Sequence, residues 1–305
     1  MFSRAQLADA YAACIALARS HYENFPVASR LLPAAMRPHV AALYAFARVA
    51  DDIADEGAAA ASERQERLRA WQERLHSAVR RPVEEPHTND RDELILAAVG
   101  HSIRSLDLPI ALFDDLVSAF GQDTMTARYA SWCDVLDYCR RSANPVGRLV
   151  LRIAGYRDEA LDRSSDALCT ALQLTNFWQD FGHDWRAGRL YVPREVQDAA
   201  GAKEDDLADG RMTPAWARAI EAAAAFTRRR FDEGRFVCDG ARGRLRIELR
   251  FTWVGGMRIL ERTERGRFDL LERRPALGIA DAPLLIWRAC RWPKRNHEHT
   301  KTRRR

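Results

Sequence analysis

An all-α fold is what this sequence predicts, on three observations. Glycine and proline are scarce, at 16 and 12 of 305 residues, while alanine, leucine, arginine and glutamate are abundant, a composition that favours helix. No run of alternating valine, isoleucine or threonine bounded by tight-turn residues occurs. Apolar residues instead recur at helical spacing between points of proline and glycine punctuation.

The expected helices follow in a steady series. The first covers residues 4–20, and Pro26 and Pro33 bracket a linker. Pro38 sits at the start of a long helix running to Asp55, with Gly57 as its stop. Ser62 with Gln65 resembles a capping box opening a helix to Arg80. Residues 81–90 hold two prolines without apolar periodicity and read as a loop. Further helices are expected at 91–105, 109–120, 131–154 with an interruption at Asn144-Pro145, 158–183, 214–235, 241–270 and 281–290, with 199–213 as a polar loop. No internal repeat is present, and the prolines punctuate helices without dividing the chain. One domain is therefore expected over 1–292, followed by a basic, disordered tail at 293–305.

Composition narrows the class. The chain is 47% hydrophobic, enough for a sizeable core, and its net charge of +5 is concentrated late, at Arg228 to Arg230, Arg242 to Arg250 and the tail from Lys294. Such charge suits solvated helix faces, anionic lipid headgroups at a membrane surface, or a diphosphate. No aromatic-interleaved basic motif points to nucleic acid. Six scattered cysteines lack metal-site spacing and read as reduced core residues of a cytosolic protein. The N-terminus carries Asp9 inside its apolar stretch and reads as an amphipathic helix, not a signal peptide. No stretch reaches the roughly 18 apolar residues of a membrane span. Contact with a membrane would be peripheral, at its inner face.

Two segments carry chemistry. In the first, Tyr44, Arg48, Asp51 and Asp55 share one helical stripe at spacings of four, three and four, flanked by apolar Val40, Leu43, Phe46, Val49 and Ile53. In the second, Gln173, Asn176, Asp180 and Asp184 repeat the pattern along another apolar helix. A largely buried face with unpaired carboxylates is costly unless cations are bound. The donors are all hard oxygens, which selects Mg2+ over zinc or copper, and magnesium prefers to share phosphate oxygens. The implied ligand is a polyphosphate. No GxGxxG dinucleotide fingerprint occurs.

These motifs, Asp51-Asp52-Ile-Ala-Asp55, then Gln173-Leu-x-Asn176-x-x-x-Asp180-x-x-x-Asp184 and GRLYVPRE, resemble the squalene/phytoene synthase family over residues 20–270. The resemblance implies a single isoprenoid-synthase bundle of helices around a central cavity, with the two acidic motifs facing each other. It implies that Asp51 and Asp55 hold one metal cluster, and Asn176, Asp180 and Asp184 the other. Arg48 and Arg189 would neutralise diphosphate oxygens, Gln173 would contact substrate, and Tyr44 and Tyr191 would line the reaction centre. Phe25, Phe46, Phe177, Trp178 and Phe181 are aromatic faces available to a carbocation.

Departures from the family pattern narrow it further. ENFPVASRLLP with Asn24 and Phe25, SANPVG with Asn144, and NFWQD with Gln179 where many members have arginine, resemble the hydroxysqualene synthases of bacterial hopanoid pathways. That resemblance implies presqualene diphosphate as substrate, a water-quenched product, and two pathway partners: a presqualene diphosphate synthase upstream and a squalene-forming reductase downstream. Asn144 beside Pro145 is expected to sit at a kink, where its amide either positions the quenching water in the cavity or only satisfies backbone groups freed by the proline. Two other readings remain: head-to-head condensation of two farnesyl diphosphates, and a non-catalytic helical assembly factor.

Overall fold

In the computed structural model, residues 4–20, 31–55, 57, 59–80 and 90–292 are described. Asn24, Phe25 and the basic tail lie outside them. The helices are α1 (Arg4–Ser20), α2 (Arg37–Asp55), α3 (Ala61–Arg80), α4 (Arg91–Leu106), α5 (Ala111–Asp123), α6 (Trp132–Ser142), α7 (Asn144–Ile153) and α8 (Glu159–Gln179). They continue with α9 (Phe181–Arg186), α10 (Arg194–Ala200), α11 (Glu204–Ala208), α12 (Pro214–Glu233), α13 (Arg235–Gly240), α14 (Gly243–Arg265) and α15 (Ala282–Cys290). Among the described residues no strand forms, only an isolated parallel bridge between Arg128 and Leu190.

Local chemistry sets the helix ends. Asp90 caps α4 by accepting the Asp92 amide, Asp158 caps α8 by accepting that of Leu161, and Ser131 with Asp134 forms a reciprocal capping box on α6. Asn144-Pro145 opens a new helix where a kink in a continuous one was expected. Ala143 takes φ −113°, and Pro145 falls in the first turn of α7, where its missing N–H leaves no bond unmade. The expected helix over 158–183 is likewise two, since Asp180 stands between α8 and α9 at φ −93° and ψ 11°. Its carbonyl still accepts the Asp184 amide at 2.9 Å, so the four-residue spacing survives the break. The short helices α10 and α13 carry too few periodic residues to be read from sequence, whereas α11 is the one short helical turn that the polar 199–213 segment leaves room for.

Two apolar cores result. The first is built from α1 to α5 with Leu149, Ile153 and Leu245, and the second from α6, α8 and the C-terminal helices. Helix α2 belongs to the first and α8 to the second, with α7 packed against both. Gly256 lets α14 approach α8, because a Cβ there would lie 2.5 Å from Leu172. Of the cysteines, Cys14, Cys139 and Cys238 are buried, but Cys133 and Cys290 are exposed, so not all six are core residues as expected. No described helix is long and apolar enough to cross a membrane.

After α14 the chain runs back across the end of α8. A Cβ on Gly182 would lie 2.4 Å from the Leu271 carbonyl and 2.5 Å from that of Leu270. Only glycine admits this approach. Arg186 donates to the Leu271 carbonyl at 2.7 Å and Gln179 to that of Pro275 at 2.6 Å, which holds the segment as a strap. Gly182→Ala is expected to cost about 1–3 kcal/mol through overpacking against backbone. Urea unfolding checks this; an unchanged midpoint would mean that the strap is not seated on Gly182.

Candidate active site

The acidic stripe of α2 and that of α8–α9 meet where the two cores adjoin. Their link is Arg189, in the 189–193 segment between α9 and α10. This segment is pinned along residues 127–130: the Leu190 amide donates to the Ala127 carbonyl, and that of Arg194 to Tyr129, each at 2.9 Å. So held, the Arg189 guanidinium reaches Asp55 at 2.9 Å. Asp184, Arg189, Tyr191 and Phe177 line one small pocket. Burial opposes the Arg189 charge, but Tyr191, Asp55 and Asp184 outweigh it and hold its pKa above the usual arginine value.

Burial weighs on one carboxylate of each stripe. Burial, then the neighbouring Asp55, pushes the Asp51 carboxyl up to about 6, although Arg48 opposes the shift. Burial likewise raises Asp184 to about 6, against the pull of Arg189. Arg48 lies 2.6 Å from Asp52 and 3.4 Å from Asp51, so Asp52 shares the arginine of the stripe. Tyr44 is half-buried on the same helix against the first core. Gln173 and Asn176 are half-buried on α8, two turns and one turn before Asp180 respectively.

Among the described residues no three His, Cys, Asp or Glu side chains converge as a closed metal cage. That suits magnesium, which keeps waters and binds through one or two carboxylates plus substrate phosphate oxygens. The oxygen-only donor set and the raised carboxyls fit such a shared site.

Four contributors escape the sequence pattern: Arg274, Asp123, Tyr129 and Tyr138. Arg274, on the strap, binds Asp180 through both carboxylate oxygens, one at 3.2 Å. It lies 94 positions away in the chain, and nothing local distinguishes it from other arginines. Asp123 ends α5 and accepts the Tyr138 hydroxyl at 2.7 Å. Burial raises Asp123 to about 7; the Tyr138 hydrogen bond lowers it, while Asp55 raises it. Its other oxygen is buried with no protein partner. Tyr138 itself closes an aromatic box. Phe177 stacks on Tyr191 at 3.7 Å between centroids, Tyr129 lies 5.7 Å from Tyr191, and Tyr138 lies 5.9 Å from Phe177.

Of the other expected aromatics, Trp178 and Phe181 line the same small pocket as Asp184 and Arg189, with Trp178 donating to Thr227 and Phe181 meeting Trp216. Phe46 stands apart, packed on Trp71 and Phe113 in the first core. Asn144 also stands apart, which corrects its expected place. It accepts the Thr170 hydroxyl at 3.0 Å and lines a separate cavity of about 490 Å³ with Leu136, Arg163, Arg230 and Phe236.

The family model and the relatives that match this all-helical chain indicate a prenyltransferase-type enzyme, of a family that acts on prenyl diphosphates such as farnesyl diphosphate. The chain belongs to the squalene/phytoene synthase family, whose model matches residues 18–280; members of this family are generally dependent on divalent metals. It is 38% identical over 221 residues to the hydroxysqualene synthase of Zymomonas mobilis subsp. mobilis, covering 71% of this chain and 70% of the relative. The hydroxysqualene synthase of Rhodopseudomonas palustris is 36% identical over 70% of this chain and 69% of its own. Among solved structures, squalene synthase HpnC from Alicyclobacillus acidocaldarius superposes with a TM-score of 0.79 at 37% identity, covering 87% of this chain and 97% of that one.

The raised carboxyls give a pH signature. Asp51, Asp184 and Asp123 take up protons in the folded chain at higher pH than the ordinary value of 3.8. The folded state therefore binds more protons between about pH 4 and 7, and stability falls as pH rises through that window. Metal-free protein is expected to lose about 2–4 °C in Tm for each net 1 kcal/mol that survives solvent screening. Magnesium with inorganic pyrophosphate should restore it. A flat Tm profile, or no restoration, would contradict the assignment.

Proposed function

We propose that this chain is a magnesium-dependent hydroxysqualene synthase: it ionises presqualene diphosphate, lets the cyclopropylcarbinyl cation rearrange, and returns water to it. Relatives of that name at 38% and 36% identity support this reading. The observation that carries it is Gln179. Many family members have an arginine beside the first aspartate of this motif; here the position is a neutral amide, 8% exposed, and spent on the Pro275 carbonyl. The cation beside Asp180 comes instead from Arg274, on the strap that Gln179 holds through the Pro275 carbonyl, an arrangement that supports a reading apart from the arginine-bearing members.

Bound magnesium supplies Lewis-acid stabilisation of the departing diphosphate. The chain's own residues do the rest. Asp51, Asp55, Asn176, Asp180 and Asp184 hold the cations, while Arg48 and Arg189 face the diphosphate oxygens as charge collects on them. The C–O bond breaks and its electron pair leaves with diphosphate. Tyr129, Tyr138, Phe177 and Tyr191 offer ring faces to the cation and exclude water from most of its surface. Quenching forms a C–O bond to one water and releases one proton. The Asp123 oxygen that lacks a protein partner takes this proton, and Tyr138 holds the other oxygen in place.

Incubating the purified protein with magnesium and presqualene diphosphate, without reductant, is expected to release a C30 alcohol detectable by mass. Conversion of farnesyl diphosphate to presqualene diphosphate instead would assign the condensing step. Asp123→Asn is expected to lower turnover by about 100-fold or more. The same variant should raise Tm above pH 7, where the buried charge is removed, and leave it unchanged near pH 4. Unaltered turnover with raised Tm would remove Asp123 from the mechanism.

A further inference from the structure

Helix α15 presents one apolar stripe to solvent, while Leu285 and Ala289 turn inward. Pro283, Ile286, Trp287 and Cys290 stand at spacings of three, one and three, a single helical stripe, and all four are exposed. Ile286 is 53% exposed, Trp287 52%, and Ile279 in the preceding turn 95%. The opposite side is anchored. Asp281 is 2% exposed and paired with Arg258 at 3.0 Å and Arg262 at 2.7 Å, and Arg288 reaches Glu261 at 2.7 Å. The stripe is thus fixed in orientation, not left outward by a loose helix.

We propose that this face, Ile279 with Ile286 and Trp287, docks the enzyme on an anionic lipid bilayer. Charge complementarity selects the partner. The exposed Arg291 guanidinium lies over the Trp287 ring at 5.4 Å. From Trp292 the chain runs on through Lys294, Arg295, Lys301 and Arg303 to Arg305, against a single acid, Glu298. A tryptophan and aliphatic side chains bordered by arginine and followed by a basic tail is the pattern of a peripheral membrane helix. Its apolar face enters the headgroup boundary while basic groups meet anionic lipid. A protein partner would leave the basic tail unexplained.

The location adds a consequence, which rests on the presqualene chemistry proposed above. The docking face follows directly from the strap whose Arg274 binds Asp180 and whose Pro275 carbonyl binds Gln179. Seating it on a bilayer puts the acidic cleft near the lipid phase, so a C30 substrate need not cross water.

The test is vesicle flotation of the full chain without substrate, in phosphatidylcholine vesicles with and without phosphatidylglycerol. The expected result is binding to the anionic vesicles alone, weakened by salt. Combined Ile279→Ser, Ile286→Ser and Trp287→Ser should reduce partitioning by about tenfold or more, since each loses buried apolar area. The Tm and the turnover on detergent-dispersed substrate should be kept. Binding by the serine variant equal to wild type would assign attachment to the tail alone and overturn the proposal. So would failure of the wild type to float, or self-association through this face in its place. Vesicle binding is read without catalysis, so an inactive protein that floats would sink the proposed reaction and leave the docking face standing.

Discussion

Carboxylates gathered at the seam between two apolar cores repel one another and resist burial, and the architecture is organised around holding them there. Asp51 and Asp184 both titrate above the ordinary range because burial penalises their charge. Without cations, arginines take the load, Arg189 on Asp55 and Arg274 on Asp180. Neither arginine sits on an acidic helix. One comes from a segment zipped against residues 127–130, the other from a strap seated on Gly182. The long-range contacts of the fold therefore converge on balancing this charge.

The same seam explains why chemistry and stability pull in opposite directions. Groups that favour a bound cation and diphosphate are costly when neither is present, the usual state of affairs where a site is organised for a developing charge. Asp123 extends the pattern inward. It is a carboxylate placed under an aromatic box, held by one tyrosine hydroxyl and otherwise unpaired by protein. A water-quenched cation needs both halves of that arrangement: ring faces to shelter the charge, and one base to take the proton.

How much was legible in advance depended on whether a signal was local. The four-residue spacing of Asp51 with Asp55, and of Asn176, Asp180 and Asp184, is a property of local helical backbone and is legible without any long-range contact. Helix ends written in capping residues, such as Ser131 and Asp158, were close to their expected positions. Asn144 was misplaced because a proline inside an apolar run reads equally as a kink or as a fresh start. The fresh start turned the amide toward Thr170. Asp123 and Tyr138 carry no spacing signal, since their partnership joins the end of one helix to the middle of the next.

By itself the sequence determined the helical class, the spacing of the two acidic stripes and the family. Each of these is set by composition or by residues within a few turns of one another. Only the tertiary structure decided which arginines answer the carboxylates, which aromatics form the box, where Asn144 points and which face of α15 is left in solvent. Those depend on contacts between residues distant in the chain, and such contacts exist only once packing has fixed the helices against each other.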